Sequence, residues 1–305
     1  PPAPTPAGWE KHRGLPTLKG VGGIPRAAAD ASKTALVVGV GGGGGACRGG
    51  GGGGGRAAGG GGGVAGGVGA GAGGAGGTKS KLYHLAGEQH RRLAVTSTVH
   101  IPYFPAGQGW CELVEPDEHL YTALSSVART ERRVAFATPS DKQGRWAGVS
   151  CALLERVARD LNFDAILVKA DGARARLLKA PMHGEPALPK VTSSVVLLAS
   201  AAAVGMPSTE ANVHRPGRLS KLAGVGAGGL IQPRHLVALI ARQCHDLLLV
   251  PGRRATPVIN MVDDPQREHM ARAVAEQVLA EVAGLERVVL TSMTRSQPLV
   301  AVVER

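Results

Sequence analysis

Lys79 and Ser80 close a glycine-rich run, G-G-A-G-G-T-K-S, over residues 73–80. A phosphate-binding loop uses the backbone N–H groups of such a turn, at a helix N-terminus, to cradle phosphates. On that pattern Gly74, Gly76 and Gly77 line the phosphates of ATP or GTP. Lys79 reaches the terminal phosphates, and the Ser80 hydroxyl binds Mg2+. Thr78 stands just before the lysine, where the pattern has glycine. The competing reading is a glycine linker followed by a helix that begins at Lys79. Asp171 is the second anchor. It directly follows the apolar run A-I-L-V-K-A, where a nucleotide-binding domain can place a magnesium-organising carboxylate. Before Gly172 it also reads as a turn aspartate. Asn260-Met261-Val262-Asp263 is the third, with the outline of the guanine-reading N-K-x-D motif and Met261 in place of the lysine. Its alternative is a turn in which Asp263 and Asp264 cap the next helix.

Arg174, Arg176 and Lys179 follow closely on Asp171. Beside a bound nucleotide these cations would neutralise phosphate charge or hold an anionic substrate. Away from one they form a solvated basic loop.

The elements that must position these groups alternate along the chain. The sequence predicts strands over 35–40, 93–99, 132–138, 163–170, 193–200, 256–260 and 287–293, and a last one over 298–303. Helices are expected over 78–92, 116–128, 151–161, 233–244 and 265–284, from apolar spacing and first-turn residues. Such alternation implies an α/β fold with a mainly parallel sheet, helices on both faces, and ligands at the carboxyl ends of strands. Lys79, Asp171 and Asn260 all follow strands, so the expected architecture is P-loop NTPase-like.

Most of the chain's 46 glycines fall between Gly39 and Gly77. That segment cannot bury enough apolar surface to offset its chain entropy, so a disordered insertion is expected over about 41–70. Residues 1–33, rich in Pro, Ala and Gly, read as a disordered tail, with the domain spanning 34–305. Gly39, Gly41 and Gly44 also spell G-x-G-x-x-G after a strand. A dinucleotide site is excluded because no helix can start in the following glycines, and no acid lies between Asp30 and Glu88 to hold a ribose.

The net charge is +12, which favours anionic partners. The Lys and Arg residues are dispersed and aromatics make up only 3%, so nucleic acid is not the expected partner. No apolar run is long enough for a membrane helix. Cys47, Cys111, Cys151 and Cys244 lie far apart, which fits neither a disulfide framework nor a zinc site and points to a cytoplasmic protein. The basic tail leaves organellar targeting open. His84, His90, His235, His245 and His269 read as helix-surface residues. Ser150 reads as a helix cap rather than a nucleophile.

Several stretches in chain order resemble the selenium-dependent molybdenum hydroxylase accessory proteins often called YqeC. They are VVGVGG and GGTKSKLYHLA, VTSTVHIP (95–102), ADGARARLLKAPMHGEPALP (170–189), VHRPG (213–217) and VINMVDD (258–264). The resemblance runs roughly over residues 34–293. It implies a nucleotide-binding protein associated with maturation of a molybdenum-cofactor enzyme, as a slow NTPase, a nucleotidyl-transfer enzyme or a non-catalytic scaffold. Lys79 and Ser80 match the phosphate-loop pair. Thr96, Ser97, Thr98 and His100 match a threonine-rich segment that implies a further metal or phosphate contact. Asp171, Gly172 and Arg174 match the D-G-A-R core, and Lys179, His183, Glu185, His214 and Arg215 match the polar stretches downstream. Lys79, Asp171 and Arg174 are thus the catalytic candidates, with Thr98, Lys179, Asn260 and Asp263 joining the loop as nucleotide contacts. Thr78, Lys169 (where the family usually has Glu) and Met261 depart from the family pattern.

Overall fold

The computed structural model describes residues 35–41, 92–105, 107 and 109–305. The expected tail, nearly all of the glycine insertion and the helix expected over 78–92, except Arg92, lie outside them.

Strands β1 (Ala35–Gly41), β2 (Leu93–Ser97), β3 (Ile101–Pro102) and β4 (Cys111–Val114) precede α1 (Asp117–Val127). Next come β5 (Arg133–Ala137), β6 (Arg145–Trp146), α2 (Cys151–Asp160), β7 (Ala165–Lys169), β8 (Leu178–Lys179) and β9 (Ser194–Ser200). The chain continues through β10 (Val213–His214), α3 (Pro216–Ala223), α4 (Pro233–Leu248) and β11 (Arg254–Asn260). It closes with α5 (Pro265–Glu281), β12 (Arg287–Thr291) and β13 (Leu299–Glu304).

A nine-stranded sheet runs in the order β13-β12-β11-β9-β1-β7-β2-β5-β4. Every neighbouring pair is parallel except β12 with the edge strand β13. Strands in such sheets read as continuous apolar runs because both faces are covered. Accordingly Leu93–Ser97 is buried throughout, as are the first four residues of β7.

One face carries the main core. Val134, Phe136, Ile166, Val168, Val195, Leu197, Ile259 and Leu290 point to it, alternating with residues of the other face. All five described helices pack here, through Leu124, Leu154, Leu219, Leu236 and Val278 among others. Helices were expected on both faces; among the described residues they cover one. The opposite face holds smaller clusters, Ile101, Phe104, Ala135 and Ala137 near β5 and Leu198, Val258 and Val289 near β9.

The helix starts have local causes. The Ser150 hydroxyl accepts from the Leu153 N–H at 3.1 Å, and Asp264 accepts from the Arg267 N–H at 2.8 Å. Both are N-caps. His245 and His269 are exposed, but His235 is not a surface residue: it is buried, and its Nδ1 accepts the Gln232 N–H at 3.0 Å to close a capping box.

Candidate functional site

The strand order sets which loops meet. β1 lies between β7 and β9, and Gly39 pairs with Lys169. Continuing that register puts Asp171 level with Gly41, the last residue of β1. On its other side β7 pairs Ser97 with Lys169, so Thr98 and Val99 reach the same rim. The Thr98 N–H donates to the Lys169 carbonyl at 3.1 Å, while its buried hydroxyl has no hydrogen-bond partner among the described residues. Such an orphan is costly and marks a place for a ligand or water. The rim is held rigidly. The Thr96 hydroxyl donates to the Phe136 carbonyl, and the Ser97 hydroxyl lies 2.7 Å from the carbonyls of both Val99 and Lys169. Gly148 packs against the 98–99 peptide so closely that an added Cβ would lie 2.3 Å from the Thr98 carbonyl carbon.

After β7 the chain turns sharply, with Arg174 and Ala175 both at positive φ. This turn returns the chain into β8, which pairs in parallel with β10, Lys179 opposite His214. Two polar stretches distant in sequence thereby meet. Lys179 is buried and pairs with the buried Asp171, which also accepts the Gly172 N–H at 2.7 Å. The Lys179 ammonium is 3.0 Å from Glu185, and Arg215 grips Glu185 with two bonds of 2.7 and 2.9 Å. The result is an alternating chain of charges, Asp171–Lys179–Glu185–Arg215. Burial pushes the Asp171 carboxyl up, against the pull of Lys179. The Arg215 fork holds Glu185 down at about 2. His214 is lowered, by burial first and then by the cations Arg215, Arg174 and Lys179.

The basic loop is thus divided. Lys179 faces inward. Arg176 donates to the carbonyls of Arg174 and Glu210. Arg174 is exposed and has no ion pair among the described residues, which leaves it able to reach an anion at the rim.

Asn260 and Asp263 do not join this group. β11 stands three strands from β7, roughly 14 Å at ordinary strand spacing. Asn260 is buried, accepting from the Thr291 hydroxyl at 2.9 Å, and the buried Met261 turns its sulfur to Ser200. Asp263 accepts from Ser292 at 2.6 Å and Thr294 at 3.2 Å. Gly74, Gly76, Gly77, Lys79 and Ser80 lie outside the described residues.

Two features of this end of the sheet were not read from the sequence. Lys169 is half-buried and donates to the His100 carbonyl at 3.2 Å; burial pushes its amine down to about 8. An aromatic pair sits at β3 and β6, with Tyr103 and Trp146 4.4 Å apart, while Arg133 lies 4.7 Å above Trp110 where β5 and β4 begin. A chain with so few aromatics gives no periodic signal for such a pair. Its members come from separate segments.

A family model described as "YqeC protein" matches residues 71–217. The chain is a YqeC-like protein. A protein of Escherichia coli (strain K12) described as "Uncharacterized protein YqeC" is 30% identical over 152 residues, 49% of this chain and 57% of that relative. The chain thus matches little more than half the length of the curated relative. The family match begins in the glycine run, takes in Lys79 and Ser80, and ends at Gly217, just past Arg215. The YqeC-like span therefore contains every member of the Asp171–Lys179–Glu185–Arg215 chain. It stops short of Asn260 and Asp263, so the resemblance read over 34–293 is carried by this narrower stretch.

Proposed function

We propose that this YqeC-like chain is a nucleotide-binding accessory protein, serving maturation of a selenium-dependent molybdenum hydroxylase as a slow NTPase or nucleotidyl-transfer enzyme. The observation that carries the reading is the position of β1. The strand that runs into the glycine-rich segment ends beside β7, level with Asp171. In open parallel sheets ligands bind outside the carboxyl ends of strands where the chain order switches sides. β1, flanked by β7 and β9, is such a point.

In this reading Lys79 and the glycines hold the phosphates of ATP or GTP. Ser80 and Asp171 hold Mg2+, and Arg174 approaches from the exposed turn. Among the described residues there is no group of three or more His, Cys, Asp or Glu able to hold a metal alone. Mg2+ bound with a nucleotide does not need one, since it keeps several waters and takes one or two protein oxygens beside the phosphates. Asp171 fits that part once Lys179 shares its charge with a phosphate. The orphan Thr98 hydroxyl is a further donor at the rim, and the Tyr103–Trp146 pair offers ring faces to a base.

A second reading, a non-catalytic scaffold, is favoured by one observation: the Asp171 carboxylate is already engaged by Lys179. Thermal melting separates the two. ATP or GTP with Mg2+ raises the melting temperature of a nucleotide binder, and Lys79→Ala removes the rise. No shift with either nucleotide leaves the scaffold. Among the described residues no helix is long and apolar enough to cross a membrane.

A further inference from the structure

A cleft of about 640 Å³ opens on the helical side of the sheet, between α3, α4 and the 181–188 segment. None of the residues expected to hold nucleotide lines it; His183 and Glu185, from the polar stretch after Lys179, do. Its volume is that of a small-molecule pocket. Its floor is aliphatic, with Leu197, Leu239 and Leu247. Its polar wall carries three guanidinium groups, from Arg218, Arg242 and Arg253.

These arginines are incompletely used. Arg218 gives its Nε–H to the Pro181 carbonyl, and Arg253 gives its Nε–H to the Thr192 carbonyl at 3.4 Å. Among the described residues neither uses its terminal amino groups, which leaves them for a further acceptor, since a guanidinium has five N–H donors. Among the described residues Arg242 pairs only with Asp246, at 3.2 Å one helical turn away, a contact worth little in solvent. Glu185 brings no net negative charge, being matched by Lys179 and Arg215. Three cations against Asp246 leave a surplus that matches a dianion, and guanidinium forks suit phosphate oxygens.

We propose that this cleft binds an aryl or heterocyclic phosphate monoester, its ring on the leucine floor and its phosphate among Arg218, Arg242 and Arg253. The 181–188 wall gives the site a consequence. It carries Glu185, the link between Lys179 and Arg215, so an occupant of the cleft bears on the charge chain that ends at Asp171. The assignment does not depend on nucleotide binding at Lys79.

The probe is methylumbelliferyl phosphate, titrated into the full chain by calorimetry. Binding is expected in the sub-millimolar range, with methylumbelliferone and inorganic phosphate each much weaker. Arg253→Gln and Arg242→Gln should each weaken binding by about ten-fold or more, the value of a charge-assisted hydrogen bond. Arg242 is exposed and caps nothing, so its variant should fold normally. Lys79→Ala should leave the affinity unchanged. No binding at millimolar probe, or affinity indifferent to both arginine variants, overturns the proposal. Loss on Lys79→Ala alone would do so too, by moving the site to the phosphate loop.

Discussion

Lys179→Met tests the charge chain most sharply. The Lys179 and Asp171 side chains are 5% and 10% exposed, so each charge depends on the other rather than on water. Removing the ammonium leaves Asp171 with the Gly172 N–H as its remaining hydrogen bond among those described. Glu185 keeps the Arg215 fork. Breaking one side of a buried pair typically costs about 3–5 kcal/mol. The lower end is expected here, about 3 kcal/mol, because methionine fills the space and Asp171 can take up a proton. Burial already raises its pKa, and losing Lys179 raises it further. The cost should therefore shrink from pH 7.5 to pH 5, where the neutral acid is easier to bury. Asp171→Asn alone should cost less, since Lys179 keeps Glu185. The double variant should recover roughly 2 kcal/mol of coupling. Urea unfolding followed by tryptophan fluorescence measures all three. A Lys179→Met cost under about 1 kcal/mol, or simple additivity with Asp171→Asn, would refute the reasoning.

Three further expectations follow from the same rim. Gly148→Ala places a Cβ 2.3 Å from backbone that cannot yield cheaply, and a loss of about 2–3 kcal/mol is expected in chemical unfolding. Glu185 has a folded pKa of about 2, below its ordinary value, so its contribution is complete above about pH 4.5 and is lost as pH falls towards 2. With solvent screening allowed for, that is about 1–2 kcal/mol, and Glu185→Gln should flatten stability over that interval. Lys169 has the opposite sense: its folded pKa of about 8 lies below the unfolded value, so stability should rise between pH 8 and 10.5. Lys169→Met should abolish that rise and be more stable than the parent at pH 7, on the order of 1–2 kcal/mol; an unchanged pH profile would contradict this.

Much of the sheet is legible in the sequence because its signal is local. AILVK and SVVLLAS can hardly be anything but buried strands, and Ser150 and Asp264 announce their helices. The elements that escape are those whose cause is tertiary. β8 and β10 are two residues each and exist only because they pair with each other. α3 is short, carries Gly217, and starts at Arg215 in a left-handed conformation that its sequence does not advertise. His235 looks like a surface residue by its place in the helix pattern, yet it closes a cap.

The site divides in the same way. Residue type and spacing marked Asp171 and Lys179, and the family resemblance marked Glu185 and Arg215, but neither said that the four neutralise one another. Spacing along a chain does not tell whether a cation faces solvent or a carboxylate. That is why Lys179, expected at a phosphate, is found in an ion pair, and why Lys169 drew notice only as a departure from the family pattern. Asn260-x-x-Asp263 has the outline of a base-reading motif, and its asparagine carbonyl accepts from Thr291 between β11 and β12, a pairing the motif does not announce.

The central claim is that a nucleotide with Mg2+ binds where the glycine segment after β1 meets Asp171. The most direct measurement is calorimetric titration of ATP and GTP, with Mg2+, into the full chain and into Lys79→Ala and Asp171→Asn. Binding of at least one nucleotide to the parent is expected, lost in Lys79→Ala and weakened in Asp171→Asn most when Mg2+ is present. Absence of binding by both nucleotides, or binding indifferent to Lys79, would contradict the account.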